Sequence, residues 1–340
     1  MDKKLSLGII GLGYWGPNLI RNLDSLRDYC SLNFLCDTNK DVLKKILMRD
    51  NQKFSTDYKE VCDDPNIDAV VISTPTSTHY EIVKYALTKE KDVFCEKPLT
   101  NNLEHAEEIV ELADKHQRIT MVGNVFVYHS AVRELKKRID SGELGQIYEI
   151  NTIRKGHGPI RSDVNVMWDL APHDISIVLY LAGRMPEKVN AIGFNYLKNR
   201  SLEDSVDLIL AFDENIGARI NLSWLYPLKE RRVTVVGSKK MAVFDDVSGI
   251  RPVTLYERSV IPFGEQPSPD FGEFKMQTTD GEITMPKIDT VEPMKLELQH
   301  FLECITKRQT PLTDAKNGRD IVKILEKAQE ALNKPYWIEI

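Results

Sequence analysis

The chain has 340 residues, which is longer than one hydrophobic core usually grows, so we expect two domains. Its 45 basic and 51 acidic residues give a formal charge of −6, which argues against nucleic acid as the main partner, because phosphate binding favours positive charge. A hydrophobic share of 42% and a charged share of 28% are typical of a compact globular protein.

The cysteines and the amino terminus indicate the compartment. The five cysteines are an odd, scattered set without a CxxC pair, which fits reduced thiols better than disulfides or a zinc site. Residues 1–4 pass directly into the strand-like segment Leu5–Ile10, which is too short for a signal core or a membrane span. We therefore expect a cytoplasmic protein without a metal site.

The first third of the chain alternates strand and helix patterns. A strand over Leu5–Ile10 leads into a glycine turn and then a helix with Pro17 near its start, a favourable position for proline. Such alternation predicts a parallel sheet with crossover helices, a Rossmann domain over residues 1–123. The further strand-like runs are Leu32–Cys36, Ala69–Thr74, Asp92–Cys95 and Ile119–Gly123.

After Gly123 the pattern changes. Helices are expected at about residues 130–139, after His173, and at two closing segments, Pro293–Ile305 and Ile321–Leu332. Consecutive strands without intervening helices predict an α+β domain over residues 124–340 with a mostly antiparallel, open sheet. Residues 258–290 have little periodicity and are interpreted as a surface excursion. The predicted strands are Lys188–Phe194, Val206–Phe212, Ala218–Trp224 and Val233–Val236.

A glycine-rich turn follows the first strand. Glycines in such a turn let backbone amides approach a pyrophosphate at the helix N-terminus, although a plain turn is the alternative for the glycines alone. Asp37 lies 21 residues beyond Gly16, where a carboxylate binds adenosine ribose hydroxyls and repels a 2′-phosphate. We therefore predict NAD as the cofactor, bound by Gly11, Gly13, Tyr14, Trp15, Gly16, Asp37 and Thr38.

Three further motifs carry a family resemblance. Thr74-Pro75-Thr76 with His79, Glu96-Lys97-Pro98, and Asp169-Leu170-Ala171-Pro172-His173 resemble the marks of the Gfo/Idh/MocA family, the glucose-fructose oxidoreductase and inositol dehydrogenase group. The resemblance covers essentially the whole chain and places Lys97 beside the nicotinamide ring. On this basis the predicted cofactor residues also include Thr74, Pro75, Thr76, His79, Glu96, Lys97 and Asn124.

A finer resemblance concerns the substrate. The segment 161–165 running into Trp168 and His173 is similar to members that oxidise the 3-hydroxyl of nucleotide-activated sugars, such as UDP-N-acetylglucosaminuronate 3-dehydrogenases. Asn124 departs from that subgroup, in which a histidine is expected at this position.

The predicted chemistry needs a general base and a group that stabilises the developing alkoxide. Lys97, just beyond a parallel strand, faces the crevice where such sheets bind ligands, although a lysine there is otherwise solvent-facing. His173 is the predicted proton acceptor and Lys97 its electrostatic partner, but the two roles can be exchanged. Asp169, four positions before His173, would orient the imidazole or hold a substrate hydroxyl, if the helix begins near Asp169 so that Pro172 falls in its first turn.

Other residues are candidates for the substrate. Arginine offers bidentate contacts to a carboxylate or a diphosphate, but surface salt bridges are the alternative. Aromatic residues beside a site are as often part of the core. Besides Lys97, Asp169 and His173, the predicted substrate residues are Tyr128, Arg154, Arg161, Asn165 and Trp168.

The sequence thus predicts NAD-dependent oxidation of a sugar hydroxyl, at C3 of a UDP-sugar, to a 3-keto sugar. An inositol or free-sugar dehydrogenase with a smaller pocket is one alternative. A non-catalytic regulator that senses NAD or a sugar, or a dinucleotide-binding structural subunit, is another, although Lys97, Asp169 and His173 count against it. An open sheet would expose apolar surface, so we expect a homodimer or homotetramer formed through the second domain.

Overall fold

The computed structural model describes residues 4–46, 52–158, 160–197, 201–249, 251–262, 276–279, 281–289, 291–334 and 336–340. The chain forms two compact units. Unit 1 comprises Met1–Tyr128 and Val291–Glu326, and unit 2 comprises His129–Thr290 and Lys327–Ile340. The first boundary lies close to the predicted one. We had predicted the segment 291–326 in the second domain, but it belongs to unit 1.

The secondary structure alternates in unit 1 and is rich in strands in unit 2. The strands are β1 Leu5–Ile10, β2 Cys30–Cys36, β3 Lys53–Ser55, β4 Ala69–Ile72, β5 Asp92–Glu96, β6 Thr120–Gly123, β7 Ile147–Lys155, β8 Lys188–Phe194, β9 Ser205–Ala211, β10 Gly217–Ser223, β11 Glu230–Gly237, β12 Met241–Asp245, β13 Val253–Tyr256, β14 Val260–Pro262, β15 Met276–Thr278, β16 Ile283–Thr284 and β17 Ile338–Glu339. The helices are α1 Gly16–Ser25, α2 Lys40–Lys45, α3 Tyr58–Asp63, α4 Thr76–Thr88, α5 Leu103–His116, α6 Ser130–Asp140, α7 Val166–Ala182, α8 Pro293–Lys307 and α9 Ala315–Ala331.

Unit 1 is built on a six-stranded sheet in the order β3-β2-β1-β4-β5-β6. Every neighbouring pair in it is parallel, which confirms the predicted Rossmann sheet. Its central strands are apolar along their length because helices cover both faces, and all four residues of β4 are buried. The short strand β3 had no predicted counterpart.

Helix α8 joins unit 1 because its apolar side packs there. Phe301 on α8 meets Phe94 of β5 with ring centroids 5.7 Å apart, and Leu298 is fully buried. At the start of this segment Glu292 accepts two hydrogen bonds from the guanidinium of Arg21 on α1. These long-range contacts, which a local sequence pattern does not contain, account for the difference from the predicted boundary.

Unit 2 contains a nine-stranded sheet in the order β16-β13-β12-β11-β7-β10-β9-β8-β17. Its pairs are antiparallel except β7 with β10, so the predicted, mostly antiparallel sheet is confirmed. Side chains alternate along β7, where Ile150, Thr152 and Arg154 are buried. Helix α7 lies against β7, β9 and β10, while Ile192 and Phe194 of β8 are exposed.

The predicted excursion at residues 258–290 is only partly described. It contains β14 paired with β15 and the short strand β16, which extends the large sheet. Residues 263–275 lie outside the described residues. Within the part of the chain that is described, no helix is both long and apolar enough to cross a membrane.

Candidate active site

The three glycines of the turn between β1 and α1 have different surroundings. Gly11 has φ +92°, and a Cβ there would lie 2.7 Å from the backbone of Ser73, so a side chain does not fit. A Cβ on Gly16 would touch the Gly11 carbonyl oxygen at 3.4 Å. A Cβ on Gly13 meets no atom within 4 Å, so the backbone at Gly13 is open to an approaching group.

The start of α1 can bind an anion. Trp15 occupies the N-cap without a side-chain hydrogen bond, Pro17 stands in the first turn, and that turn contains no acidic residue. The first N–H groups of a helix have no intrahelical partners and attract negative charge. Tyr14 and Trp15 are exposed beside this end of the helix, to 84% and 41%. A pyrophosphate therefore fits this turn.

Asp37 links the end of β2 to the glycine turn. One carboxylate oxygen accepts a hydrogen bond from the Leu12 amide and the other from the Asn39 amide, both at 2.8 Å. Each oxygen retains capacity for a further donor, and Thr38 beside it is exposed. The residues of unit 1 thus fit a dinucleotide whose adenosine ribose hydroxyls reach Asp37.

Lys97 lies in a turn that His79 holds. The turn follows β5, and its Lys97–Pro98 peptide is cis. The two ring nitrogens of His79 lie 2.9 Å from the carbonyl oxygens of Pro98 and Thr74. His79 is 1% exposed, and burial lowers the pKa of its imidazole. His79 therefore connects the turns after β4 and β5 through their backbone carbonyls, and its contact with the cofactor stays a prediction.

Two carboxyl groups, of the partly buried Glu96 and the buried Glu297, lie beside this turn. Glu96 lies two residues after Phe94 and therefore on the same face of β5. Glu297 lies one helical turn before Phe301 on α8, so the contact of the two phenylalanine rings places both carboxyl groups on one side. Burial raises the pKa of Glu96 to about 7, against the effect of neighbouring Lys97. Burial, followed by repulsion from Glu96, raises the pKa of Glu297 well above its usual value. Burial thus favours the protonated form of both carboxyl groups.

Two residues at the end of β6 are less accessible than expected. Tyr128 is fully buried, with its hydroxyl 3.4 Å from that of Thr313, so it belongs to the core and offers a substrate no surface. Asn124 is 1% exposed and donates to Asn317 at 3.3 Å. Its side-chain oxygen, Oδ1, has no hydrogen-bond partner among the described residues.

In unit 2, α7 carries the predicted catalytic pair. The helix begins at Val166, with Asn165 as N-cap, whereas we had predicted a helix after His173. Pro172 therefore lies in the helix interior, beyond the first turn. Asp169 and His173 still share one face because they are one turn apart.

The Asp169 carboxylate has partners that the sequence did not indicate. The buried indole of Trp224, just after β10, donates to one carboxylate oxygen of Asp169 at 3.2 Å. The guanidinium of Arg161 lies 3.9 Å from the other oxygen and also pairs with the exposed Asp163. Asp169 is thus held beside a cation on the face that carries His173.

The remaining predicted substrate residues have structural partners. Arg154 is 5% exposed and forms an ion pair with Asp174, with its Nε 2.5 Å from Oδ2. Asn165 caps α7 and donates to Glu203 and Gln329, and the Trp168 indole also donates to Gln329. Of the two arginines predicted to bind the substrate, Arg161 is the more accessible, with 39% of its side chain exposed against 6% for Arg154.

Sequence reasoning missed Trp224, Asp174, Ser73 and Glu297. Asp174 could have been found, because an acidic residue inside an apolar helical run needs a buried partner. Ser73, whose hydroxyl donates to the Gly11 carbonyl at 2.7 Å, was placed inside the predicted strand Ala69–Thr74, but β4 ends at Ile72. Trp224 and Glu297 have no local signal, since they contact residues far away in the chain.

Family models match both parts of the chain. The model described as the oxidoreductase family with an NAD-binding Rossmann fold matches residues 5–124. The model of the GFO/IDH/MocA C-terminal domain matches residues 132–243. Together these ranges contain most of the predicted motifs.

Individual relatives agree with the family match. The chain is 29% identical over 327 residues, 92% of its length and 89% of the relative's, to scyllo-inositol 2-dehydrogenase (NAD(+)) of Bacillus subtilis. An oxidoreductase structure from Magnetospirillum magnetotacticum MS-1 has a TM-score of 0.81 and 28% identity, and the match covers 96% of this chain and 100% of that one. The WlbA dehydrogenase of Bordetella pertussis, solved with NADH and UDP-GlcNAcA, has a TM-score of 0.82 and 19% identity over 99% of each chain, which shows the common fold.

Replacing Gly13 by valine tests whether the exposed backbone at Gly13 contacts the cofactor. We expect Gly13→Val to fold normally but to weaken NADH binding more than tenfold, because the added side chain occupies the approach to the turn. Gly217→Val is the matched control, since a Cβ on Gly217 also meets no atom within 4 Å. Thermal unfolding and NADH fluorescence titration measure both effects. Equal NADH affinity in the two variants would contradict the assignment of this turn to the cofactor.

The buried carboxyl pair predicts a pH-dependent stability. Because folding raises the pKa of Glu297 above 4.5, its contribution to stability is full at low pH and is lost as the pH rises. Glu297→Gln should therefore gain stability relative to the native chain by up to about 1.4 kcal/mol per pH unit above pH 4.5. Glu303→Gln, on the partly exposed side of the same helix, is the control. Urea unfolding from pH 5 to 8 measures the difference, and a pH-independent difference would refute the raised pKa.

Proposed function

We propose, from the premise that this chain belongs to the GFO/IDH/MocA family of NAD-binding oxidoreductases, that it oxidises a secondary ring hydroxyl of a sugar or cyclic polyol. The observation that carries the proposal is the position of Lys97. It follows β5 at the edge of the parallel sheet where the glycine turn and the start of α1 fit a dinucleotide. An ammonium group beside that cofactor site suits a reaction in which an alcohol oxygen becomes negative.

The chemistry divides between the cofactor and the side chains. NAD+, held by the glycine turn and Asp37, would supply the hydride acceptor for the carbon that carries the hydroxyl. Lys97 and His173 act on the hydroxyl oxygen, one removing its proton and the other stabilising the alkoxide, in either order. Asp169, held by Trp224 and close to Arg161, orients a substrate hydroxyl or the imidazole. Lys97 and His173 lie in different units, so their joint action on one carbon is part of the proposal.

Two substrate classes are supported by different observations. Arg161 favours the C3 hydroxyl of a UDP-sugar of the N-acetylglucosaminuronate type, because its partly accessible guanidinium can bind a carboxylate or a diphosphate. The 29% identity with a scyllo-inositol dehydrogenase over 92% of the chain favours a free cyclic polyol. The two classes differ in charge, so Arg161 distinguishes them.

A substrate screen tests the proposed function. The native chain with NAD+ should form NADH with UDP-N-acetylglucosaminuronate, UDP-N-acetylglucosamine, scyllo-inositol or myo-inositol. If the substrate is a UDP-sugar, Arg161→Ala should raise its KM about tenfold or more, since a bond to a charged group is lost. Arg184→Ala is the control, because Arg184 has a similar exposure and also pairs with a surface aspartate. No NADH with any of the four compounds would count against this substrate range, and an unchanged KM would remove Arg161 from the site.

The exposed face of the large sheet supports self-association. Ile192 and Phe194 on β8 and Tyr196 beyond it are exposed to 53%, 43% and 59%, and Phe194 and Tyr196 stack on each other. We propose that a second copy covers this face in a homodimer or homotetramer, in a cytoplasmic enzyme. Light scattering should give at least twice the chain mass, and Ile192→Lys with Phe194→Glu should reduce it. A monomer at all concentrations would refute the assembly.

A further inference from the structure

The carboxyl-terminal part of α7 is anchored mainly by apolar contacts. After His173 the helix buries Ile175, Val178 and Leu181, and such contacts have little directional preference. Asp174 is the charged residue in this part of the helix, with 1% of its surface exposed. A charged group in this position is costly unless it is paired.

Arg154 supplies the partner of Asp174 from the sheet. Its side chain points to the buried side of β7, and its Nε lies 2.5 Å from the Asp174 carboxylate. The two side chains are only 6% and 2% exposed. Unlike the apolar contacts, this bond has a fixed direction and joins one point on the strand to one point on the helix.

Pro172 makes such a bond more important. Proline has no N–H group, so the hydrogen bond that would join residue 172 to the carbonyl of Trp168 is missing. The turn from Asp169 to His173 is therefore held less firmly by its own backbone. Side-chain contacts hold the helix on both sides of the missing hydrogen bond. Trp224 donates to Asp169 before Pro172, and Arg154 pairs with Asp174 after it.

We propose that Arg154 is a positioning residue, whose buried ion pair with Asp174 fixes the rotation of α7 beyond Pro172 and thereby the direction of the neighbouring His173 imidazole. The proposal rests on the proposed function, because it assumes that His173 acts on the substrate. It differs from the sequence prediction, in which Arg154 bound the substrate itself.

The energetics separate positioning from stability. Removing two charges from water is expensive, and replacing a buried ion pair by apolar side chains of similar size is often neutral or stabilising. Removing one partner alone is strongly destabilising. The replacement of both residues should therefore preserve the fold while it removes the directional contact.

The test compares stability with turnover in variants of the full chain. Arg154→Met with Asp174→Leu should have a Tm equal to that of the native chain or higher. Its kcat should fall about 10- to 100-fold, because a displacement of a catalytic group by about 1 Å has an effect of this size. NADH affinity should stay unchanged, since the glycine turn and Asp37 belong to unit 1. One limb of the pH profile of kcat should be absent in His173→Ala, and the apparent pKa of that limb should shift in the apolar double variant.

A conservative variant and a matched control complete the test. Arg154→Lys keeps the charge and should retain more activity per folded molecule than the apolar double variant. Arg184→Met with Asp213→Leu, which removes a surface ion pair of unit 2, should leave kcat unchanged. Native kcat and an unchanged pH profile in the apolar double variant would overturn the proposal, as would a loss confined to thermal stability, or equal activity of both Arg154 variants.

His173→Ala separates the two levels of the argument. If this variant retains native kcat, the catalytic role of His173 fails, and with it the proposed mechanism. If it is inactive while the apolar double variant is fully active, only the positioning role of Arg154 fails.

Discussion

All six strands of the unit 1 sheet run in one direction, and the candidate cofactor site depends on this constraint. Because parallel strands end at a common edge, turns that are far apart in the sequence meet there. Asp37 holds the turn after β1 through the Leu12 amide. His79 holds the turns after β4 and β5 through two backbone carbonyls. The edge is thus fixed by side chains that bond to backbone, which leaves Gly13 and the start of α1 open to a ligand.

Buried polar groups are concentrated near the predicted reacting residues of both units. Glu96 and Glu297 lie beside the turn of Lys97, and Arg154 and Asp174 lie beside His173. Such groups are costly to bury, and apolar residues would fill the same volume at less expense. The Arg154–Asp174 ion pair and the hydrogen bond from the Lys97 amide to Glu96 restrict orientation in a way that apolar packing does not. We therefore interpret them as parts that orient the two candidate catalytic side chains.

The sequence predicted what local patterns determine. Strand and helix alternation gave the parallel sheet, and Lys188–Phe194 was predicted with the bounds of β8. The membership of α8 in unit 1 was not predicted, because it depends on the packing of Phe301 against Phe94, more than 200 residues away. Tyr128 was predicted to bind the substrate, but its side chain is fully buried. The sequence does not distinguish an aromatic residue that faces a ligand from one in the core. The start of α7 was missed because we had placed the helix after His173, whereas Asn165, a good N-cap, begins it at Val166.

The most direct measurement of the central claim follows the hydrogen on the oxidised carbon. A substrate labelled with deuterium at that carbon is incubated with stoichiometric NAD+ and enzyme in a single turnover, and the reduced cofactor is analysed by mass spectrometry. The account predicts deuterium in the NADH of the native chain and, in Lys97→Met, NAD binding without its reduction. Product formation with the label in water, or native rates in Lys97→Met, would contradict it.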